Sequence, residues 1–578
     1  MTETRTRKIG NSSLKAGATS QLIPLFIGYI AYFATVPFVV NKLGFRQYGY
    51  WAMTGAIAQY GAMFDLGVSQ SVTRFVALFH ARGDRHGERA TLGTSLMVLV
   101  ILGGALLLVP LTFPSFLESV IRTGDEVLTQ YLFLSSICIL IAGLIGKAFA
   151  AASFGRGSVL PSGLGIALYT SGVAGGGVAG LLIVQPSLRG FATGSVAGSA
   201  VGLLVILVCV LADERAIHVG LPRWSTLSQI LPFGLKSQSI AVADIIQLHT
   251  GKLVAGIVVG PAAATAYELG NRLALGTRSV GVATCSAMTA KFTRSFAADG
   301  RDAIRKQYVE LTSKNAAVSV FLPFLLVAVS ASAIPFWLGS PHSDVRTATI
   351  VLSLTFALNV ATGVLTSTVL AINEMGVIVV AAGITTVLVV VLSTFLGHAF
   401  GFFGVLVGVA VASASGQIIA VTLIHRVLRI PLRDFFVPVC GPFCIGIIAA
   451  AFAAPISVIS SPATRGEALV PLCTGAAVFM IVYVLLGSRL KYIPSVMPAL
   501  AAFRRRIPLR GEGRHRLREQ RGSRWRGGVS REMILARDSR DCGRSTASQD
   551  PDAFDAHGEG QRKGSGYVTT DRSKLGNE

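Results

Sequence analysis

The chain has 578 residues, of which 52% are hydrophobic and only 14% charged, and its mean hydropathy is +0.62. A soluble chain of this length carries about 25% charged residues to cover its surface, so a water-soluble fold is excluded. The formal net charge of +22 would suit a nucleic-acid partner, but the placement of the cations gives them another meaning.

A helix needs ~20 apolar residues to cross the hydrocarbon core. About fourteen such stretches follow one another, near 16–41, 48–70, 91–113, 127–152, 159–185, 191–212, 234–260, 262–290, 312–336, 346–371, 376–398, 401–425, 434–455 and 467–487. The fold class is therefore an all-α polytopic membrane protein. The opening "MTETRTRKIG" is basic and precedes an apolar run that ends in "VVNKLG". That run is too long for a signal-peptide core and lacks a small-residue cleavage pattern, so it reads as an uncleaved first helix.

With the N-terminus placed in the cytoplasm, nineteen Lys and Arg fall in inside segments, from Arg5 and Arg7 through Arg74, Arg156 and Arg301 to Arg433. Six fall outside: Lys42, Arg46, Arg122, Arg189, Arg346 and Arg465. This is the positive-inside bias, and it predicts that both termini are cytoplasmic. It accounts for most of the charge without nucleic acid.

An internal repeat follows. "RFVALFHARGD" from Arg74 is echoed by "KFTRSFAADGR" from Lys291, 217 residues later. At that offset Tyr50 falls on Tyr267, Ile27 on Asp244, Tyr32 on His249 and Thr35 on Lys252. The sixth stretch has Gly190, Gly194, Gly198 and Gly202, and the twelfth has Gly404, Gly408, Ala412 and Gly416. Both are small-xxx-small patterns that let helices approach closely in lipid, and Gly172, Gly176 and Gly180 repeat the pattern in the fifth. The expected architecture is two six-helix lobes plus two extra helices. Its divisions are a cytoplasmic N-terminus at 1–15, a first lobe at 16–212, a cytoplasmic linker at 213–233, a second lobe at 234–427, two helices at 428–490, and a tail at 491–578. Repeats of this kind are a transporter design with the substrate site between the lobes.

The tail is Arg- and Gly-rich and then polar, so it cannot bury a core and is expected to be disordered. Its basic start suits anionic lipid headgroups; the simpler reading is a dispensable extension. Cys440 and Cys444 sit a helical turn apart with no further ligands in the sequence nearby, and read as small core residues rather than a metal site. No GxxxxGK[ST] loop, HExxH motif or sizeable soluble domain is present, so no enzyme and no metal or organic cofactor is expected.

Ionisable residues at membrane depth face a cavity or a partner. The first lobe has Asp65 and Lys147. The second has Lys236, Asp244, His249 and Lys252 on one helix, and Glu268, Arg272 and Arg278 on the next. At ~100° per residue, Lys252 lies ~80° and His249 ~140° round from Asp244. The structural reading pairs Asp244 with Lys252 or Lys236, and Glu268 with Arg272 at i, i+4, leaving Arg278 without a local partner. The functional reading is a net-positive cavity for an anion, with Lys252, Arg272, Arg278 and Lys147 as candidates to hold its headgroup. Asp244, His249, Glu268 and Asp65 are then candidates for coupling to an ion gradient.

"VPFVVNKLGFRQYGYWAMTGAIAQYGAMFDLGVSQSVTRFVALFHARGD", "IVVGPAAATAYELGNRLALG" and "AIPFWLGS" followed by "TSTVLAINEMG" resemble, in order and spacing, the Wzx-type polysaccharide flippases of the MATE-like (MOP) superfamily. The resemblance covers about residues 12–490. It implies twelve to fourteen helices in two lobes around a V-shaped cavity. It further implies passage of a polyprenyl-pyrophosphate-linked oligosaccharide across the bacterial plasma membrane by alternating access, coupled to a proton or sodium gradient. The product would serve exopolysaccharide, capsule or O-antigen synthesis, with membrane lipids, a polymerase and glycosyltransferases as partners. The Arg-rich tail departs from the resemblance. A MATE-like antiporter of cationic drugs and a non-transporting scaffold for polysaccharide assembly are the alternatives; an antiporter would show the opposite sign of cavity charge.

Overall fold

The computed structural model describes residues 2–492 except 66, 159, 213–217, 373–375 and 491, with side chains from Phe26 onward and interruptions in them, the longest at 293–306. The predicted tail lies outside the described residues, as do the side chains of Lys236 and Lys291. In chain order the elements are α1 (Thr2–Tyr60), α2 (Val68–Ala81), α3 (Arg85–Thr112), α4 (Pro114–Ile121), α5 (Glu126–Gly155), α6 (Leu160–Ala179), α7 (Leu188–Leu211), α8 (Trp224–Val254), α9 (Pro261–Leu338), α10 (Ser343–Ala361), α11 (Gly363–Ile372), α12 (Gly376–Leu428), α13 (Arg433–Ile459) and α14 (Arg465–Arg489). No strand occurs among the described residues. Helices are what a chain without backbone partners in lipid must form.

Eleven helical segments among the described residues are long and apolar enough to cross a membrane. Two of these hold two passes each. α1 breaks at Gly44 (φ 78°, ψ 161°) and α12 at Gly401 (φ 60°, ψ −142°). Side chains avoid a left-handed φ of this kind, so glycine sets both breaks. α9 also contributes two passes, because its two ends reach the same level of α1: the Thr265 hydroxyl donates to the Phe45 carbonyl (2.6 Å), and the Asn41 amide donates to the Leu338 carbonyl (3.5 Å). Its first pass carries Glu268, Arg272 and Arg278 and is not one of the eleven. The fold therefore accommodates the fourteen passes read from hydropathy. The protein is a multi-pass membrane protein.

Helix starts are written locally. Asp84, Asp125 and Ser187 cap α3, α5 and α7 by accepting from the amides of Gly87 (2.8 Å), Leu128 (3.1 Å) and Gly190 (3.3 Å), as N-cap residues do. At α14 the Thr464 hydroxyl accepts from the Glu467 amide (3.4 Å), and the Glu467 carboxylate reaches back to accept from the Ala463 amide (3.0 Å), one residue short of a full capping box.

The helices pack in two groups. α1–α3 and α5–α7 pack on one another, α8–α12 form the second group, and α13 and α14 lie against α9. The glycine patterns do what their spacing predicts. A Cβ placed on Gly176 or Gly194 would overlap the other's carbonyl, and Gly172 faces Gly198 in the same way, so α6 and α7 touch backbone to backbone. In α12, a Cβ on Gly408 would meet Ser393 Cα at 2.5 Å, so the two arms close together too. Large apolar side chains such as Ile183, Val208 and Phe395 point outward, 66–82% exposed, as a lipid-facing surface requires. Cys440 and Cys444 are exposed on α13. The expectation that they are core residues is corrected: α13 is apolar on all sides, so its composition does not mark which face is inward.

Candidate functional site

The two groups of helices meet along α1, α8 and α9. At the end marked by Gly44 and Gly260 they are sealed by one apolar cluster that draws Val36, Val40 and Met53 from the first group and Leu253, Leu269 and Trp337 from the second. The Trp337 ring lies against Phe33, 5.0 Å between centroids, and its indole nitrogen donates to the Phe33 carbonyl at 2.9 Å.

Beside this seal sits a charged triad. Glu268 on α9 accepts from Lys252 on α8 (2.8 Å) through one oxygen and from Arg272 (2.7 Å) through the other. Lys252 and Glu268 are buried, at 5% exposure each. The Arg272 side chain is 45% exposed, and its guanidinium lies over the Tyr32 ring of α1, 5.1 Å from the centroid. One carboxylate thus serves two cations, and the triad carries a net charge of +1. Arg272 donates through Nε alone among the described residues, and its side chain is half exposed, so its Nη groups are available to an outside acceptor. A half-exposed guanidinium held through Nε, with its Nη groups unengaged among the described residues, suits binding of phosphate. His249, one turn before Lys252, is half-buried and its Nδ1 has no partner among the described residues.

A second arrangement lies on the neighbouring faces of the same two helices. Asp244 and Arg278 approach to 3.9 Å, Arg278 Nε donates to Asn359 Oδ1 on α10 (3.0 Å), and the Arg278 guanidinium lies 5.7 Å from the Phe356 ring centroid. These groups line a narrow cleft between α8, α9, α10 and α12.

The structure thus brings together six of the eight predicted site residues on α8 and α9, in pairings different from those expected. Lys252 joins Glu268 rather than Asp244, and Asp244 takes Arg278, which the sequence left without a partner. The i, i+4 pair Glu268–Arg272 forms as expected. Asp65 and Lys147 stand apart in the first group. Asp65 accepts from the Ser69 hydroxyl (3.4 Å) through one oxygen and leaves the other buried without a partner among the described residues. Lys147, exposed on α5, acts on it through charge. One ionic site went unpredicted: Glu88, 1% exposed, accepts from Arg156 (2.7 Å) and contacts His80 (3.0 Å), and so ties α2, α3 and the end of α5 together. No group of three His, Cys, Asp or Glu that could hold a metal ion occurs among the described residues.

No protein-family model and no curated protein matches the chain. Solved structures do. The lipid II flippase MurJ in an inward closed conformation superposes with a TM-score of 0.57 at 16% identity, over 81% of this chain and 98% of that one. A multidrug resistance MATE family transporter in an inward-facing conformation gives 0.56 at 16% identity, over 71% and 99%. This is the fold of the MOP-superfamily transporters. Another MOP superfamily transporter of this fold, from Pyrococcus furiosus, gives 0.50 at 16% identity, over 72% and 95%, and is described as having a reverse polarity of its binding pocket that suggests a different function. These neighbours are transporters or flippases rather than enzymes, and the charge of the site has to carry the argument about substrate.

Proposed function

We propose that this chain is a flippase that moves a polyprenyl-pyrophosphate-linked oligosaccharide across the bacterial plasma membrane by alternating access, for exopolysaccharide, capsule or O-antigen synthesis. The observation that carries this reading is the triad: a net-positive site between the two groups of helices, with the Arg272 guanidinium presented beside an apolar seal. A pyrophosphate would meet Arg272 and Lys252 while its lipid tail stayed against the lipid-facing surface. The fold shared with a lipid II flippase supports the class of cargo, and the surplus of cations in the inside segments supports cytoplasmic termini. His249 and Asp65, each with a buried polar atom that has no partner among the described residues, are the groups proposed to couple transport to protons or sodium. Polymerase and glycosyltransferases are the proposed partners, with membrane lipids around the outer face.

The second reading is an ion-coupled antiporter of cationic drugs, since the MATE neighbour matches nearly as well. Cells that depend on this chain for polymer export separate the two. Arg272→Ala and Lys252→Ala are expected to lower export at least tenfold while the protein still inserts, with Arg272→Lys intermediate. Normal export from both alanine variants, together with dye efflux that Asp244→Asn abolishes, would replace the flippase reading with the antiporter.

A further inference from the structure

The chain enters the second group of helices through "HVGLPRW", residues 218–224. This segment is not a loose loop. The Gly220 amide donates to the Arg89 carbonyl of α3 (3.0 Å), and the Arg223 amide donates to the Thr94 hydroxyl (3.0 Å). Glycine is needed at 220, because a Cβ there would meet the Arg89 carbonyl carbon at 2.7 Å, and a Cβ on Gly93 would overlap the Gly220 carbonyl. Pro222 favours an extended backbone at Leu221, between these two anchors. The segment is thus a strap seated along α3. What it turns outward is apolar: Leu221 is 84% and Trp224 82% exposed, and Val219 is exposed beside them. A fixed backbone that presents a contiguous apolar patch marks an interaction surface.

Depth and charge say what covers it. α8 runs from Trp224 to Val254, next to the seal, so the strap lies at the opposite end of the molecule. Thr94 stands at the start of the apolar run of α3, and Trp224 opens the pass of α8. The strap is therefore level with the boundary between headgroups and hydrocarbon, where tryptophan is enriched because its ring is apolar and its N–H polar. Cations gather at the same level. Arg85 and Arg89 are one turn apart on the face of α3 that carries Gly93, and Arg223 is on the strap itself. Arg85 and Arg223 are exposed and Arg89 is half-buried, and none of the three forms an ion pair among the described residues. The neighbouring carboxylates are engaged elsewhere: Asp84 caps α3, and Glu88 is buried against Arg156 and His80.

We infer that the strap binds an anionic phospholipid of the adjoining leaflet, with Leu221 and Trp224 among its acyl chains and Arg85, Arg89 and Arg223 meeting its phosphate. Arginines at the membrane surface attract anionic headgroups, and the apolar side chains between them hold the lipid by burial. The leaflet is the cytoplasmic one in the orientation proposed above. This site is separate from the triad, which stands near the other end of α8, and it does not depend on what the triad binds. Because the strap leads from the first group of helices into the second, a lipid held there grips the joint between them.

The test uses the full chain in nanodiscs of phosphatidylcholine, with and without phosphatidylglycerol. The emission of Trp224 is the difference between the natural chain and Trp224→Phe. It is expected to be quenched by lipid brominated along its acyl chains and protected from aqueous iodide. Quenching by iodide and not by brominated lipid would mean that water or a protein covers the strap, and overturns the inference. The headgroup is read as phosphatidylglycerol retained through detergent purification and counted by mass spectrometry. Arg223→Ala should lower its preference over phosphatidylcholine about fivefold, and the double variant Arg89→Ala/Arg223→Ala should lower it further. The preference of the natural chain should fall as salt is raised. Arg89 and Arg223 anchor the strap through backbone atoms, so these variants keep it in place. An unchanged preference in the double variant overturns the inference even where Trp224 is quenched by lipid. Farnesyl pyrophosphate that displaces phosphatidylglycerol in Arg272→Ala would assign the strap to the transported lipid, and overturns the phospholipid reading too.

Discussion

The two halves of this molecule share a frame and differ in chemistry. Gly44 ends the first pass and Gly260 (φ 137°, ψ 166°) ends the seventh, within one residue of the repeat offset. Glycines bring α6 to α7 and one arm of α12 to the other. Against this common frame, the positions of Asp244, His249, Lys252, Glu268, Arg272 and Arg278 correspond at the repeat offset to Ile27, Tyr32, Thr35, Trp51, Gly55 and Gly61. The first half builds the same helices with no charge at any of those places. The frame therefore does not require the charges, and the second half carries them for something else. Tyr32 even meets the other half's chemistry directly, since Arg272 lies over its ring.

The strongest way to break this comparison is at Glu268. Removing one partner from a buried ionic group costs about 3–5 kcal/mol, because the remaining charges are left uncompensated. Glu268→Ala is therefore expected to produce the largest fall in thermal stability of the detergent-purified protein. The double variant Glu268→Ala/Lys252→Met should recover part of that loss. A double variant no more stable than the single would mean that Lys252 does not depend on Glu268.

The shared frame is tested by Gly194→Val in the first half and Gly408→Val in the second. Each forces a side chain into backbone contact, and overpacking of this kind costs about 1–3 kcal/mol. Similar losses in both halves, read as unfolding temperature and monodisperse yield, are expected. A loss confined to one half would end the equivalence. Glu88→Gln probes the ionic site that belongs to the first half alone. It keeps the shape and removes the charge that Arg156 and His80 meet, and charge-assisted hydrogen bonds contribute about 1.5–3 kcal/mol each. It should lower stability while leaving binding of farnesyl pyrophosphate, a probe of the triad, in place. The smallest effect is expected from Arg189→Ala, whose ion pair with Asp125 is about half exposed on both sides; such pairs contribute ~0.2–1 kcal/mol, so the unfolding temperature should hardly move.

The frame was legible in the sequence because its signals are local. Twenty-residue apolar runs, four-residue glycine spacing and the Glu268–Arg272 step each lie within one or two helices. The site was half legible. Hydropathy identified which residues carry charge at membrane depth, but the angle between Asp244 and Lys252 on one helix cannot tell which of them faces α9. The pairs that form, Lys252 with Glu268 and Asp244 with Arg278, cross between helices and depend on how α9 is rotated against α8. Glu88 was hidden for a different reason. It lies in "RGDRHGER", where a carboxylate among many cations reads as solvated, and its main partner Arg156 is 68 residues away. Asn359 was missed because a single uncharged amide in an apolar helix gives no sequence pattern; it meets Arg278 only once α9 and α10 are packed together.

The backbone contact between α6 and α7 has a mechanical consequence. With carbonyls seated directly against Gly172, Gly176, Gly194 and Gly198, the middle of this interface has no side chain whose rotamer could change to let one helix slide past the other. A shear displacement would drive carbonyl into Cα, so the close contact resists sliding and favours movement of α6 and α7 as one unit.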